Sequence, residues 1–387
     1  MIAMTPDLLA RDRALRTLRQ WLTTGRVAAG EFLPAERLLT ATLKVPRTAL
    51  RHALATLEEE GFLHAQGRRR MVRARPGNGG LLGGALVVLS DVGEQRGRDP
   101  STAGATTGIT LGALAAADSD GGRSFDAVVG WYRGTMTPAD ADRLIAAGVR
   151  AVIIVPTHQS AATVLAITER LRTAPIAVAV YADPTLVTTV DTVWADHYAG
   201  ARLLAEHAIA AGLRRLLPVW RDADGTGRWP QERERGIHDA LRAAGLNILP
   251  RYQPSISLTD SENAASFQAA AATLAGELAA VLTSDEPPDA LIGLSDAPAA
   301  LLTAAVQRFR HFRTPPRIFG YDANGRHHPM TTWAGLLPDL TVDKDNTGIG
   351  RTLVRLVRER LAGRGPAGPV QILVAPQLVI PALESTP

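Results

Sequence analysis

The sequence predicts an α/β protein in two parts, a small helical head and a larger body of two doubly wound parallel-sheet lobes. Two observations carry most of this. The first 65 or so residues show three helical periodicities and then a strand pair. After a flexible run, strand-like and helix-like segments alternate over about 300 residues, and that alternation calls for parallel sheets with right-handed crossovers. A third observation, the length of the alternating part, suits two similar lobes better than one sheet.

In the head, Leu8, Leu9, Leu15, Leu18, Trp21 and Leu22 recur at helical spacing, and Gly25 and Gly30 then interrupt the pattern. Pro34 precedes a second short helix whose apolar face is Leu38, Leu39 and Leu43, with Glu36 and Arg37 in its first turn. A third helix starts after Pro46, turns Leu50, Ala53, Leu54 and Leu57 inward, and ends at Gly61. Phe62 to Val72 reads as a hairpin turning at Gly67. Three helices plus a hairpin make a winged helix-turn-helix, placed at residues 1–75. The run Arg75–Pro76–Gly77–Asn78–Gly79–Gly80 signals a linker, placed at 76–84.

The body, 85–387, opens the alternation. Its strand-like runs are Ala85–Leu89, Ala127–Val129, Ala151–Val155, Ile176–Val180, Leu216–Val219, Ala290–Leu294 and Arg317–Phe319. Alanine-rich amphipathic helices such as Ala199–Ala211 and Ala297–Phe309 separate them.

Charge divides along the same line. Residues 1–75 carry 14 basic and 7 acidic side chains, a net +7, against 28 and 31 in the remainder, a net −3. A basic head on a mildly acidic body is the footprint of a polyanion-binding module. Cysteine is absent, which removes disulfide and thiolate chemistry. No stretch of about 18 uninterrupted apolar residues appears, and the first residues lack an apolar signal core. The expectation is a cytoplasmic protein with no membrane association.

The segments Leu33–Pro34–Ala35–Glu36–Arg37, Lys44–Val45–Pro46–Arg47–Thr48–Ala49–Leu50–Arg51–His52–Ala53–Leu54 and Leu57–Glu58–Glu59–Glu60–Gly61–Phe62–Leu63 closely resemble the GntR family head. That resemblance implies a winged helix that binds DNA as a dimer, with Arg37, Arg47, Thr48 and Arg51 at DNA-contacting positions and Gly67 at the wing tip. The chemistry agrees. Arg47 and Arg51 lie one helical turn apart on one face, where guanidinium groups can bond guanine in the major groove. Thr48 can donate to a phosphate or base edge, Arg37 can pin the backbone, and Arg68 with Arg69 and Arg70 adds wing contacts. Pro46 stands where the family has Ser or Thr, and Arg69 stands at the second wing glycine.

The body resembles the ligand-binding domain of LacI/GalR regulators and periplasmic sugar-binding proteins. The matching pieces begin with Val193–Trp194–Ala195–Asp196–His197–Tyr198–Ala199–Gly200–Ala201, read as opening a helix, then Gly212–Leu213–Arg214–Arg215–Leu216. Arg233–Glu234–Arg235–Gly236–Ile237, Ser295–Asp296, Gly320–Tyr321–Asp322 and Leu340–Thr341–Val342 follow in the family's order. A GntR head on such a body resembles arabinose-responsive repressors. It implies a cleft between two lobes that closes on a sugar or sugar derivative, with Arg233, Asp296 and Asp322 bonding the ligand. Ser295 replaces the family asparagine, Lys344 lies near a family Gln or Asp position, and Asp91 follows the first body strand. Trp131, Tyr132, Trp220 and Trp229 are read as following strand ends, where open α/β sheets bind ligands and rings stack on sugar C–H faces. The expected state is a homodimer on operator DNA, acting as a repressor.

No HExxH, GxSxG, Walker A or GxGxxG motif and no Cys/His metal cluster is present in the body, and His158 and the adjacent His327–His328 stand apart from any ligand set. An enzyme is not expected, nor a cofactor or a metal. The competing reading is a DNA-binding dimer whose body no longer binds a sugar, or binds another metabolite.

Overall fold

The structure is a computed structural model. It describes residues 6–23, 26–27, 31–59, 62–66, 69–72, 82–91, 104–119, 124–132, 135–156, 159–222, 228–259, 261–309, 312, 314–325 and 328–381. Gly67, Arg68, the run Pro76–Gly80, His158 and His327 lie outside the described residues.

The head folds as its periodicities predict. Helices α1 (Pro6–Thr23), α2 (Glu36–Leu43) and α3 (Arg47–Glu59) enclose Leu18, Leu22, Leu39, Leu50, Leu54 and Leu57. Lys44 makes the tight α2–α3 turn in a left-handed conformation, φ 51°, its N–H donating to the Thr40 carbonyl. Arg13 on α1 donates to the Lys44 carbonyl at 2.7 Å and fixes that turn against the first helix. Strands β1 (Leu63–Gln66) and β2 (Arg69–Val72) pair antiparallel, with Gln66 opposite Arg69. The segment before α2 lies along β2, with the Leu33 N–H on the Arg70 carbonyl at 2.8 Å.

The first lobe is a six-stranded parallel sheet. In chain order its strands are β3 (Leu86–Ser90), β4 (Val128–Tyr132), β5 (Ala151–Val155), β6 (Ala177–Tyr181), β7 (Asp191–Ala195) and β12 (Gln371–Val374), and in space the order is β12-β7-β6-β5-β3-β4. Strand alternation sorts the two faces. Leu86, Val88, Ala151 and Ile153 pack under α4 (Gly104–Asp118) and α12 (Asn346–Leu361). Val87, Leu89, Val152 and Ile154 pack under α5 (Pro138–Ala146) and α6 (Ala161–Leu171).

The second lobe centres on parallel strands β8 (Leu216–Val219), β9 (Ala290–Gly293) and β10 (Arg317–Phe319) in the order β10-β9-β8. A bridge from Phe319 to Leu340 leads on to β11 (Thr341–Asp343), which pairs antiparallel with β13 (Gln377–Val379). Helices α7 (His197–Ala210) and α8 (Trp229–Ala243) cover one face. The other carries α9 (Ala264–Leu282), α10 (Asp296–Val306) and α11 (Pro329–Ala334). By length and composition α9 could cross a membrane, but its Phe267, Leu274, Leu278 and Leu282 pack into this lobe's core. The chain passes between the two sheets three times, from β7 to α7, from β11 to α12 and from β12 to β13.

Three expectations need correction. Val193–Trp194–Ala195 do not open a helix; they end β7, which is paired on both sides, and Asp196 caps α7 by accepting the Ala199 N–H at 2.8 Å. Trp131 and Tyr132 do not follow a strand but are the last residues of β4. Trp229 comes after β8 but does not stand at that strand's end; it opens α8.

Candidate functional site

Two groups of side chains stand out, one on the head and one where the lobes meet. On the head, the exposed face of α3 presents Arg47, Thr48 and Arg51, and Arg37 is exposed on α2. Glu36 ties this face together. Its Oε2 accepts from Arg47 Nε at 3.4 Å and Arg51 Nε at 3.1 Å, and its Oε1 accepts from Arg70 at 2.9 Å. Arg70 also donates to Glu58. One carboxylate therefore links α2, α3 and β2. Burial alone would raise the Glu36 carboxyl, but Arg70, Arg51 and Arg47 hold it below its usual range. The guanidinium of Arg69 lies 5.5 Å from the centre of the Phe32 ring. Neither Glu36 nor the Arg70 pairing was assigned a role from sequence.

At the lobe junction the structure brings together Arg233, Asp322 and Lys344. Arg233 comes from the second turn of α8, Asp322 from the turn after β10 and Lys344 from the residue after β11. Asp322 holds φ 94° and Ala323 φ 50°, an uncommon backbone for side chains other than glycine, so the carboxylate is presented by a strained turn. Asp322 Oδ1 accepts from Lys344 Nζ at 2.7 Å and from Arg233 at 3.4 Å, and both cations are only 3% exposed. Burial would raise the Asp322 carboxyl, but Lys344 and Arg233 keep it below its ordinary value. Burial pulls Lys344 down against the attraction of Asp322.

Arg233 has three further restraints. It donates to the Leu294 carbonyl, it faces His197 Nδ1 at 3.2 Å, and it lies over the Tyr321 ring at 3.5 Å and the Trp229 ring at 4.5 Å. His197, at the start of α7, stacks among Trp194 at 4.9 Å, Trp229 at 5.9 Å and Tyr321 at 6.1 Å. Burial, with Arg233 and Lys344 nearby, holds its imidazole well below the ordinary range, so it is neutral. Tyr181 of the first lobe completes the ring set, 5.0 Å from Trp194. Two hydrogen bonds reach from first-lobe strands and turns to α8 and the residue before it. Trp194 Nε1 donates to Glu232 at 3.4 Å, and Arg228 donates to Thr185 Oγ1 at 2.6 Å.

Other sequence-assigned residues are placed elsewhere. Asp296, the first residue of α10, accepts from Thr341 Oγ1 at 2.6 Å and from the Gly325 N–H at 2.9 Å, so its carboxylate fastens the turn after β10 to β11. Burial pushes it up to about 7 despite these bonds. Ser295 precedes α10 and its side chain caps no N–H there. Trp220 is packed in the second lobe's core with Leu216, Ile237 and Leu241. Asp91 is buried at the end of β3, and Trp131 packs against the first lobe's core. His197, Tyr181, Trp194 and Tyr321 were not assigned roles from sequence, although three of them lie inside the quoted segments. The available signal was the clustering of aromatic residues at the start of α7 and the ends of β7 and β10.

A winged helix-turn-helix on two doubly wound lobes is the build of a DNA-binding regulator with an effector domain. Residues 10–72 match the bacterial regulatory proteins of the gntR family. Residues 205–381 match the periplasmic binding protein-like domain. No curated protein sequence matches the chain. Among solved structures, the chain is similar to a LacI-family regulatory protein from Chloroflexus aggregans, at 19% identity and TM-score 0.57, covering 77% of this chain and 97% of that one. It is similar to the transcriptional regulator CelR in complex with cellobiose, at 18% identity and TM-score 0.57, over 90% of this chain and 99% of that one. A ribose-bound LacI-family regulator from Enterococcus faecium is similar at 15% identity and TM-score 0.55, over 76% of this chain and 96% of that one. The protein joins a gntR-type head to a periplasmic-binding-protein-like body, and it is a transcriptional regulator.

Proposed function

We propose that this regulator is a cytoplasmic homodimeric repressor that binds a near-palindromic operator and answers to a sugar-like effector bound between its lobes. The division is a DNA-binding head at 1–75, a linker at 76–84 and an effector and dimerisation body at 85–387. Arg47, Thr48 and Arg51 read the major groove, while Arg37, Gly67 and Arg68 contact the DNA backbone. The effector is held among Arg233, Asp322 and Lys344, with Trp229 and Tyr321 as its apolar walls. Asp296 and Ser295 act from behind this group, Trp220 stiffens the lobe, and Asp91, the residue after β3, is the first lobe's contribution. The protein catalyses nothing and needs no cofactor.

The observation that carries the reading is the convergence, on a neutral histidine and its aromatic neighbours, of three charged side chains from three separate segments. Ligand sites in open α/β sheets lie at such strand ends. A competing reading, a body that only dimerises, draws on the fact that Asp322 is already paired with both cations.

A thermal-shift screen separates them, because a ligand at about 100 times its dissociation constant stabilises by about 2.7 kcal/mol. The expected result is stabilisation by one class of sugar derivative, with the same compound releasing operator DNA in a mobility-shift assay. If no compound stabilises the protein, dimerisation alone is the body's role.

A further inference from the structure

We propose that the effector carries an anionic group, a carboxylate or a phosphate, that docks between Arg233 and Lys344 and onto His197 Nε2. This rests on the inter-lobe reading above and names the chemistry of its ligand. The first support is a count of buried charge. Arg233 and Lys344 are both almost wholly buried, and among the described residues Asp322 is the one carboxylate that forms an ion pair with either. A guanidinium stays protonated in proteins, and the same carboxylate oxygen that faces it at 3.4 Å also takes the Lys344 amino group at 2.7 Å, so one carboxylate serves both basic groups.

The neighbouring acids are directed elsewhere. Asp183 pairs with Arg228 at 3.4 Å, Asp343 accepts the Asp345 N–H at 2.7 Å, and Asp296 is turned to Thr341 and Gly325. Glu232 accepts from the Trp194 indole, and burial raises its carboxyl toward the neutral form. A buried charge with only half a partner is costly unless something completes it.

The second support is independent of the count. Arg233 can only donate, so His197 Nδ1 accepts from it and Nε2 carries the ring proton. That Nε2–H is buried and has no hydrogen-bond partner among the described residues. The group thus offers an imidazole N–H, guanidinium N–H groups and ammonium N–H groups, while its one carboxylate is already engaged. Hydroxyls of a neutral sugar need acceptors as well as donors. An oxyanion only accepts, and bonds from charged donors to it are the strong ones.

The test is isothermal titration of the full-length protein with sugars matched in hydroxyl pattern: glucose, gluconate, glucuronate and glucose 6-phosphate, then the same series for galactose and arabinose. The expected result is a roughly ten- to hundredfold tighter dissociation constant for the anionic member of one series. Lys344→Met should abolish most of that preference and Lys344→Arg should keep it. The acid and phosphate arms tell a carboxylate from a phosphate. A neutral sugar binding as tightly as its anionic counterpart would overturn the inference and leave the inter-lobe reading standing. A preference that survives in Lys344→Met also overturns it. Binding by no member of any series counts against the inference and against the reading beneath it.

Discussion

At the residue scale, these side-chain pairings translate into measurable losses. Arg47→Ala and Arg51→Ala should each weaken operator binding by about 1–3 kcal/mol, read by fluorescence anisotropy at fixed salt. Both guanidiniums already pair with Glu36 in the free head. DNA replaces that pairing, so the losses should fall toward the lower end. At the junction, Asp322→Ala leaves two buried cations without their carboxylate and should destabilise the body by about 3–5 kcal/mol. Removing Lys344 as well, as Asp322→Asn with Lys344→Met, should cost less than the sum of the single changes in denaturant melts.

The pH dependence has two opposing parts. Asp296 has a native value of about 7, raised by burial, so the stability tied to its proton is complete below the ordinary carboxyl range and is lost as pH rises toward about 7. His197, held below the ordinary imidazole range by burial, Arg233 and Lys344, loses stability in the opposite direction, as pH falls through that range. Asp296→Asn removes the first part and keeps the second. Its melting temperature should therefore rise relative to wild type between about pH 5 and pH 8, and parallel profiles would show that Asp296 does not titrate there. Arg233 and Asp322 were legible in the sequence because they stand inside ordered motifs, whereas Lys344 lies just past the last of them, and only the fold puts it beside Asp322. His197 was not legible, since its role depends on which strands end beside it.

At the element scale, legibility followed the apolar run more than length: three-residue β10 was read, whereas β7, which opens on Asp191 and Thr192, was not. All seven strand-like runs of the body became strands, and the head's three helices lie where apolar spacing put them. The strands that went unread are β7, β11, β12 and β13. Strand β12 has a mostly half-exposed surface and lies at the sheet edge, while β11 and β13 are only three residues long. Such segments lack the continuous apolar run of a buried parallel strand. Helix pairing is set by small residues that no periodicity shows. A Cβ on Gly236 of α8 would come 2.4 Å from the Tyr198 carbonyl oxygen on α7, and one on Gly350 of α12 would come 2.2 Å from the Ile109 carbonyl oxygen on α4. Gly236→Ala and Gly350→Ala should each cost about 1–3 kcal/mol by forcing the helices apart, measurable as a lowered denaturation midpoint. An unchanged midpoint would mean that the backbones can separate freely.

At the scale of the whole molecule, one recognition helix reads too few base pairs to be specific in a genome, so two heads on a two-fold axis are expected. A fragment beginning at Gly84 should sediment as a dimer at micromolar concentration; a monomer would move the dimer surface to the head. The triple passage between the lobes also orders events on the ribosome. Everything described of the head is encoded by residue 72, but the first lobe lacks α12 and β12 until residue 374, and the second lobe lacks β13 until 379. At translation rates of about 5–20 residues per second, the roughly 300 residues in between take about 15–60 s. Through that interval Val88, Ile153 and Val193 wait for Ile349, Leu353 and Val357 to cover them. The nascent chain therefore carries a foldable DNA-reading unit well before its sensor can close, and the interval's exposed apolar sheet is where a chaperone would act.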